Sequence, residues 1–479
     1  MKNIMPSGYL IKKLALASTV ALAAAVNTVN AVVMDDTSQA SFSPQLVNSA
    51  ETDRLIVKYK HNTPQNLMSA LSDSSMQSVS NAVLDVVGGK VNYIRKMSTG
   101  AHVVKLGNKV SDSELKAIMK KMMADPNIEM VEPDIRMYPM LTPNDARYNE
   151  QWHYFETTGG LNLPTAWDTT TGTGVVVGVI DTGYRPHADL VGNLLPGYDF
   201  ISSAQTAQDG NGRDPDARDE GDWTNDNECV PGRPGTNSSW HGTHVAGTIA
   251  AVANNRGVVG AAFGSRVVPI RALGRCGGSL SDIADAMIWG AGGNVPGVPA
   301  NPNPAQVLNL SLGGGGACGS TIQSAINTAR SLGATVVVAA GNESQNVSNA
   351  TPANCNGVIT VAATDRSGGR AFYSNFGNRV DVAAPGGETN SVRANGVLST
   401  LNTGRRNPRN DSLAFYQGTS MATPHVAAAA ALLYSVNPSI TPNQVENILE
   451  STARSFPRRC RGCGAGIVDA AAAVDAVNR

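Results

Sequence analysis

From Leu141 to Arg479 the chain has 22 arginines and not one lysine, whereas Val32 to Met140 holds nine lysines and three arginines. A base bias across a genome would touch both stretches. The break therefore points to two segments with different fates: the lysine-bearing one removed, the lysine-free one kept where lysine-directed proteases are met. Chance and ancestry are the competing reading, and arginine's fixed charge and forked donors do not decide between them. A surplus of either sign is also missing. The whole chain sets 37 Lys plus Arg against 38 Asp plus Glu, and 22 arginines against 26 acids leave the later stretch at −4. No summed field draws this chain to nucleic acid or acidic lipid. Charged residues are only 16% and hydrophobic ones 42%, with 49 glycines and no repeat period, which excludes a scaffold of disordered tails or a collagen-like fibre. At 479 residues, two or three folded units are expected.

Long apolar runs are scarce too. Leu14 to Val26, after Lys12 and Lys13 and before the small-residue end Val29-Asn30-Ala31, falls short of the ~20 residues that span a bilayer. Residues 1–31 therefore read as a secretory signal peptide, with export out of the cell and no membrane attachment afterwards. Val426 to Val436 is apolar as well, and reads as a buried helix.

Cysteine is sparse, and all six (Cys229, Cys276, Cys318, Cys355, Cys460, Cys463) lie in the lysine-free stretch. In an exported chain an even number reads as a disulfide set. Fifteen pairings are open, and short loops favour neighbours: 229 with 276, 318 with 355, 460 with 463. Cys460-Arg461-Gly462-Cys463 as a zinc half-site would need a second CxxC, and the sequence has none.

Residues 52–140 contain the short runs Arg54 to Tyr59 and His102 to Leu106. They also contain a helical stripe of Leu115, Ile118, Met119 and Met122, with Ser111 as N-cap and Glu114 three residues on. This predicts a small α+β unit with an extended tail from Val131 to Leu141. Beyond it, β-branched runs (Val175–Ile180, Val267–Ile270, Val307–Leu310, Thr335–Ala339, Val358–Ala362) alternate with helical ones (241–253, 281–289, 321–331, 420–435). Continuous apolar strands between helices predict an α/β fold: a mostly parallel sheet covered on both faces. Functional groups should then collect where strands end.

Val179-Ile180-Asp181-Thr182-Gly183 ends the first strand in a carboxylate, and His241-Gly242-Thr243-His244 opens a helix of small residues. Gly418-Thr419-Ser420-Met421-Ala422-Thr423-Pro424 puts a serine in the first turn of a long apolar helix, where backbone donors favour developing negative charge. Singly, Asp181 reads as a turn residue and Ser420 as an N-cap. Together they supply what a serine nucleophile requires: a base for its proton and an acceptor that fixes the base's tautomer. Ala339-Ala340-Gly341-Asn342 ends another strand, and the Asn342 amide there can donate to an oxyanion without adding charge.

The order Asp, His, Ser within DTG, HGTHVAGT, AAGN and GTSMATPH resembles the subtilisin-like serine proteases from about Asn144 to Val468. The resemblance implies peptide-bond hydrolysis through an acyl-enzyme: Ser420 attacks, His241 shuttles the proton, Asp181 orients His241 and Asn342 holds the oxyanion. It implies that peptide substrates lie along Ser311-Leu312-Gly313 as an added strand. It also implies that Ala339, Ala340, Gly341 and Ala350 line an open pocket, that Thr351-Pro352 is a cis bond, and that the enzyme works as a monomer.

Two departures stand out: Ala428 where the family has Gly, and Ala188 in place of Pro between His187 and Asp189. Residues 32–140, especially Asp125-Pro126-Asn127 and Val131-Glu132-Pro133, are similar to the family's propeptide. They imply a ferredoxin-like folding aid and inhibitor over about 52–132, cut off between Tyr138 and Pro143 to leave a catalytic domain at 141–479. The same resemblance makes Asp145, Asp189, Asn254 and the carbonyls of Val252, Arg256 and Val258 an oxygen shell for Ca²⁺. Asp209, Asp214 and Asp216 read equally as a second calcium site or a solvated acidic loop. His241 and His244 as zinc ligands are disfavoured, since no HExxH glutamate lies between them.

Overall fold

The structure, a computed structural model, describes residues 53–60, 81, 90–107, 110–134 and 142–477. The leader at 1–31 lies outside them, as does most of the junction between Tyr138 and Pro143. Near the amino end, β1 (Arg54–Tyr59), β2 (Val91–Lys96), β3 (His102–Leu106) and β4 (Ile128–Pro133) pair antiparallel in the order β2-β3-β1-β4. The helix α1 (Asp112–Met122) starts at Ser111, whose hydroxyl caps Glu114 N while Glu114 returns a bond to Ser111 N at 2.7 Å. Its stripe of Leu115, Ile118 and Met122 packs on Leu55, Val57, Val104 and Leu106.

The larger sheet is built from strands that are apolar at nearly every position. These are β5 (Val176–Asp181), β6 (Tyr198–Asp199), β7 (Arg266–Arg271), β8 (Val307–Leu310), β9 (Thr335–Ala339), β10 (Ile359–Thr364) and β11 (Val382–Pro385). They run parallel in the order β11-β10-β9-β8-β5-β7-β6. Because side chains alternate, Val177, Val307, Val337 and Val361 turn to one face, while Ile180, Ile270, Leu308 and Val336 turn to the other. On the first face lie α2 (His241–Ala250) and α5 (Thr419–Val436); on the second lie α3 (Leu280–Gly290) and α4 (Ser320–Ser331). The α5 helix is apolar all round and buried from Met421 to Tyr434, including Ala428, as expected of a core helix.

A hairpin of β12 (Val397–Asn402) and β13 (Asp411–Tyr416) flanks α2. Ser399 and Thr400 donate to the carbonyls of His244 and Thr243 at 2.7 and 2.8 Å. Two further helices, α6 (Pro442–Ser451) and α7 (Ala470–Val477), close the chain's described part. Among the described residues no helix is long and apolar enough to cross a membrane. In a parallel sheet all strands deliver their carboxyl ends to one rim. Asp181, Ser311 and the Ala340–Asn342 turn sit at that rim.

Candidate active site

Asp181 closes β5 fully buried, with Oδ1 accepting from Thr182 N at 2.7 Å and from His241 Nδ1 at 2.7 Å. The second bond fixes His241 with its proton on Nδ1, which leaves Nε2 bare and able to accept another. Close approach of α2 to β5 depends on Gly242: a Cβ there would lie 2.2 Å from the Gly183 carbonyl and 3.2 Å from Asp181 Oδ1. Burial is the largest influence on His241 and lowers its pKa. The charge and hydrogen bond of Asp181, then Asp222 and Asp219, outweigh it and hold the ring above the ordinary histidine value. Trp240, the residue before the helix, is buried in left-handed backbone (φ 51°) with its indole N–H on the Gly404 carbonyl at 2.7 Å. A bulky side chain rarely adopts that conformation, and such strain collects at functional sites.

Ser420 does not cap its helix; Gly418 stands at that position. Its hydroxyl donates to the Ser311 carbonyl at 3.2 Å, and Ser311 Oγ donates back to the Ser420 carbonyl at 2.8 Å. That carbonyl is free because its helical partner would be the nitrogen of Pro424, which carries no hydrogen. The structure shows no hydrogen bond from Ser420 to His241, yet Ser311 and His241 line one cavity of about 660 Å³. Asn342 Oδ1 accepts from Thr419 N at 2.8 Å and Thr419 Oγ1 at 3.0 Å. Both bonds hold the amide so that Nδ2 remains available as a donor. Ala339, Ala340 and Ala350 are buried small residues, Gly341 is half-buried (φ 102°), Leu312 is partly exposed and Gly313 exposed. Gly314 and Gly315 pair antiparallel with Thr351 and Ala350, and Thr351-Pro352 is cis.

His244 is buried, donates to the Ala414 carbonyl at 3.0 Å and stacks on Tyr416, so its ring is spent on structure. The cysteines pair 229–276, 318–355 and 460–463. The first bridge lines the same cavity as His241. Beside it, Trp223 carries two guanidinium groups on its ring, Arg275 at 4.0 Å and Arg406 at 4.4 Å from the centroid.

Away from the rim, Asp145 and Asp189 are both buried. Asn254 N donates to Asp145 Oδ1 at 2.9 Å, and Asn254 Nδ2 and Val258 N donate to Asp189 at 2.9 and 2.7 Å. Asp145 Oδ2 is buried with no donor at all, and burial first, with Asp189's charge adding to it, pushes the Asp145 carboxyl above its ordinary value. Arg256 N donates to Asn254 Oδ1 at 3.0 Å. Asp209, Asp214 and Asp216 are brought to one concavity, but with partners of their own. Asp209 meets the buried Arg271 at 2.7 Å, Asp214 accepts from Asn211 Nδ2 at 2.6 Å, and Asp216 pairs with Arg218.

Four residues to which the sequence alone gives no role stand behind His241, one of them Thr182 of the DTG motif. Thr182 Oγ1 donates to the buried Asp219 at 2.7 Å and accepts from Gly242 N at 3.0 Å. Ser239 Oγ donates to Asp222 at 2.7 Å and accepts from His241 N at 3.3 Å. Burial, then the charge of Asp222, pushes the Asp219 carboxyl up to about 7.

Residues 172–466 match the family model described as the subtilase family, peptidase S8. An extracellular protease of Xanthomonas campestris pv. campestris is 52% identical over 436 residues, covering 90% of this chain and 74% of that relative. An extracellular basic protease of Dichelobacter nodosus is 44% identical over 478 residues, covering 98% and 77%. Among solved structures, that of proteases from Pseudoalteromonas arctica is 61% identical with a TM-score of 0.70, covering 70% of this chain and 100% of that one.

Proposed function

We propose, on the premise that this chain belongs to the subtilase family and is a serine endopeptidase, that it cuts peptide bonds through an acyl-enzyme formed on Ser420. The 2.7 Å bond between His241 and Asp181, at the rim where α5 presents Ser420, carries this reading. His241 Nε2 takes the hydroxyl proton once the hydroxyl leaves the Ser311 carbonyl. The serine oxygen then attacks the peptide carbonyl, and the same proton passes to the departing amine. Asp181 orients the ring and stabilises its charged form. The Asn342 amide, locked by Thr419, donates to the oxyanion without reorganising. Substrate backbone adds along Ser311 to Gly313, and the small walls at Ala339, Ala340, Gly341 and Ala350 take the side chain before the cut.

Residues 32–140 are read as the enzyme's own propeptide, a folding aid and inhibitor over about 52–132 within a self-processed, exported zymogen whose mature form works as a monomer. Export is supported by two relatives named as extracellular. For calcium, the donor-less Asp145 Oδ2 beside Asp189 fits a cation site completed by Asn254 and the carbonyls of Val252, Arg256 and Val258. An ion there would neutralise two buried carboxylates and tie the amino end to the α2 loop. Support for a second ion at Asp209, Asp214 and Asp216 is weaker, because protein groups already hold them.

A serine-directed fluorophosphonate should label the mature enzyme once, at Ser420, and block casein hydrolysis. Ser420→Ala should lose both labelling and about 10⁴-fold or more of the activity. A Ser420→Ala protein that still digests casein would overturn the reading.

A further inference from the structure

The α2 helix starts without a side-chain cap from its N-cap residue, although its first amides need acceptors. Two side chains outside the helix supply them, each in the same way. A carboxylate accepts a hydrogen bond from a hydroxyl, and that hydroxyl's oxygen accepts one from a helix amide: Asp219 with Thr182 for Gly242 N, and Asp222 with Ser239 for His241 N. In the Thr182 arm both side chains are buried, Asp219 almost completely, and Thr182 touches the cavity wall. The Ser239 arm opens on the substrate cavity, which Asp222, Ser239 and His241 line together. Asp222 grips Ser239 at two points, accepting from its amide at 2.6 Å and its hydroxyl at 2.7 Å, so the hydroxyl cannot turn away from His241. Tyr416 OH holds the Ser239 carbonyl at 2.9 Å from the other side.

We propose that Asp222, acting through Ser239, is a positioning residue for His241: the pair fixes the height of the catalytic ring above Asp181 and places a second negative charge behind it. The inference rests on the proposed role of His241 as the base. The two parts of the device are separable, because the hydroxyl sets placement while the carboxylate supplies charge. That charge acts in the same direction as Asp181 and Asp219 on the ring. The groups facing these acids are Arg271, whose charge opposes that of Asp219, Arg185, which donates to the Asp219 carbonyl at 2.9 Å, and Tyr416, whose hydroxyl pKa is pushed up by burial and then by the Asp222 charge. His244 is the titratable neighbour on the helix itself and stays neutral, its pKa lowered to about 3 by burial. A change at 222 also acts on Asp219, whose carboxyl the Asp222 charge helps to raise, so Asp222→Asn lets Asp219 ionise more readily and returns part of the lost charge to the ring.

The test is made on the mature enzyme by NMR titration of the His241 ring together with the pH profile of kcat/KM, whose acidic limb reports the free base. Removing a nearby negative charge disfavours the protonated ring. Asp222→Asn should therefore move the ring midpoint and the acidic limb down by about half a pH unit, giving about threefold more neutral ring on the acid side. Asp222→Glu, which keeps the charge, should restore the parent's values. Ser239→Ala should leave the midpoint in place and lower kcat about tenfold with little change in KM, as expected of a displaced base. A ring midpoint in Asp222→Asn indistinguishable from the parent's, or full kcat in Ser239→Ala, would overturn the proposal. If instead His241→Ala still hydrolyses casein, the catalytic reading fails, and the ring titration continues to judge the pair by itself.

Discussion

The region from Asp53 to Asp134 and the region from Thr142 to Val477 build stability from different materials. Among its described residues the first has one small core under an antiparallel sheet, and ion pairs there (Arg54–Asp134, Lys58–Glu129, Lys105–Asp53) are partly exposed. Such pairs contribute about 0–1 kcal/mol each. The second buries a parallel sheet on both faces, pins its loops with three disulfides, and takes charge inside, where Arg271 sits between Asp199 and Asp209. Lysine follows the same division, present in the first region and absent from the second. A single-core unit of this size is marginal alone. The difference teaches that one chain can build two regions on unlike terms, which is what the proposed loss of the first and persistence of the second would require.

That contrast can be broken or sharpened in order of effect. The largest test is the mass of the exported product. Ser420→Ala should retain the whole lysine-bearing region, whereas the parent should lack it, and a parent product still containing Lys90 would end the idea of separate fates. Next, replacing Cys318 and Cys355 together opens a bridge across 37 residues. This should cost about 4 kcal/mol. An unchanged Tm would mean that the bridges do not set the second region apart. Chelation with EDTA should lower the Tm of the mature enzyme, reversibly with Ca²⁺, by the equivalent of about 3 kcal/mol when calcium stands a hundredfold above its Kd. Indifference to the chelator would count against a cation between Asp145 and Asp189. The smallest effect belongs to the first region. Ser111→Ala removes one arm of the α1 capping box and should cost about 1 kcal/mol, read as faster amide exchange in α1 within the Ser420→Ala chain. If exchange is unaltered, the region is sturdier than its core suggests.

Much of this was legible in the sequence where a local pattern carried it. The apolar runs at Val307–Leu310 and Thr335–Ala339 became strands with those bounds, the Ser111 and Glu114 spacing became a capping box, and DTG and AAGN share one rim because parallel strands end together, where HGTH and GTS open helices against them. What stayed hidden is what only folding brings together. The two-residue β6 has no period to detect, and the β12–β13 hairpin mixes polar and apolar residues because α2 covers part of it. The β4 strand overlaps only at Val131 to Pro133 the stretch that reads as an extended tail, whose two prolines and little periodicity mask a strand. Thr182 and Asp219 lie 37 positions apart, and Ser239 and Asp222 lie 17 apart with no motif joining them. His153 and His425 meet at 2.7 Å across 272 positions, in a core where neither motif nor spacing announces a pair.

Trp223 adjoins Asp222 and bears the guanidinium groups of Arg275, next to Cys276, and of Arg406. The molecule thus carries its own optical gauge. Any opening of that flank shifts two cations relative to an indole, so the difference in emission between the parent and Trp223→Phe, which subtracts the other four tryptophans, follows that movement without an attached dye.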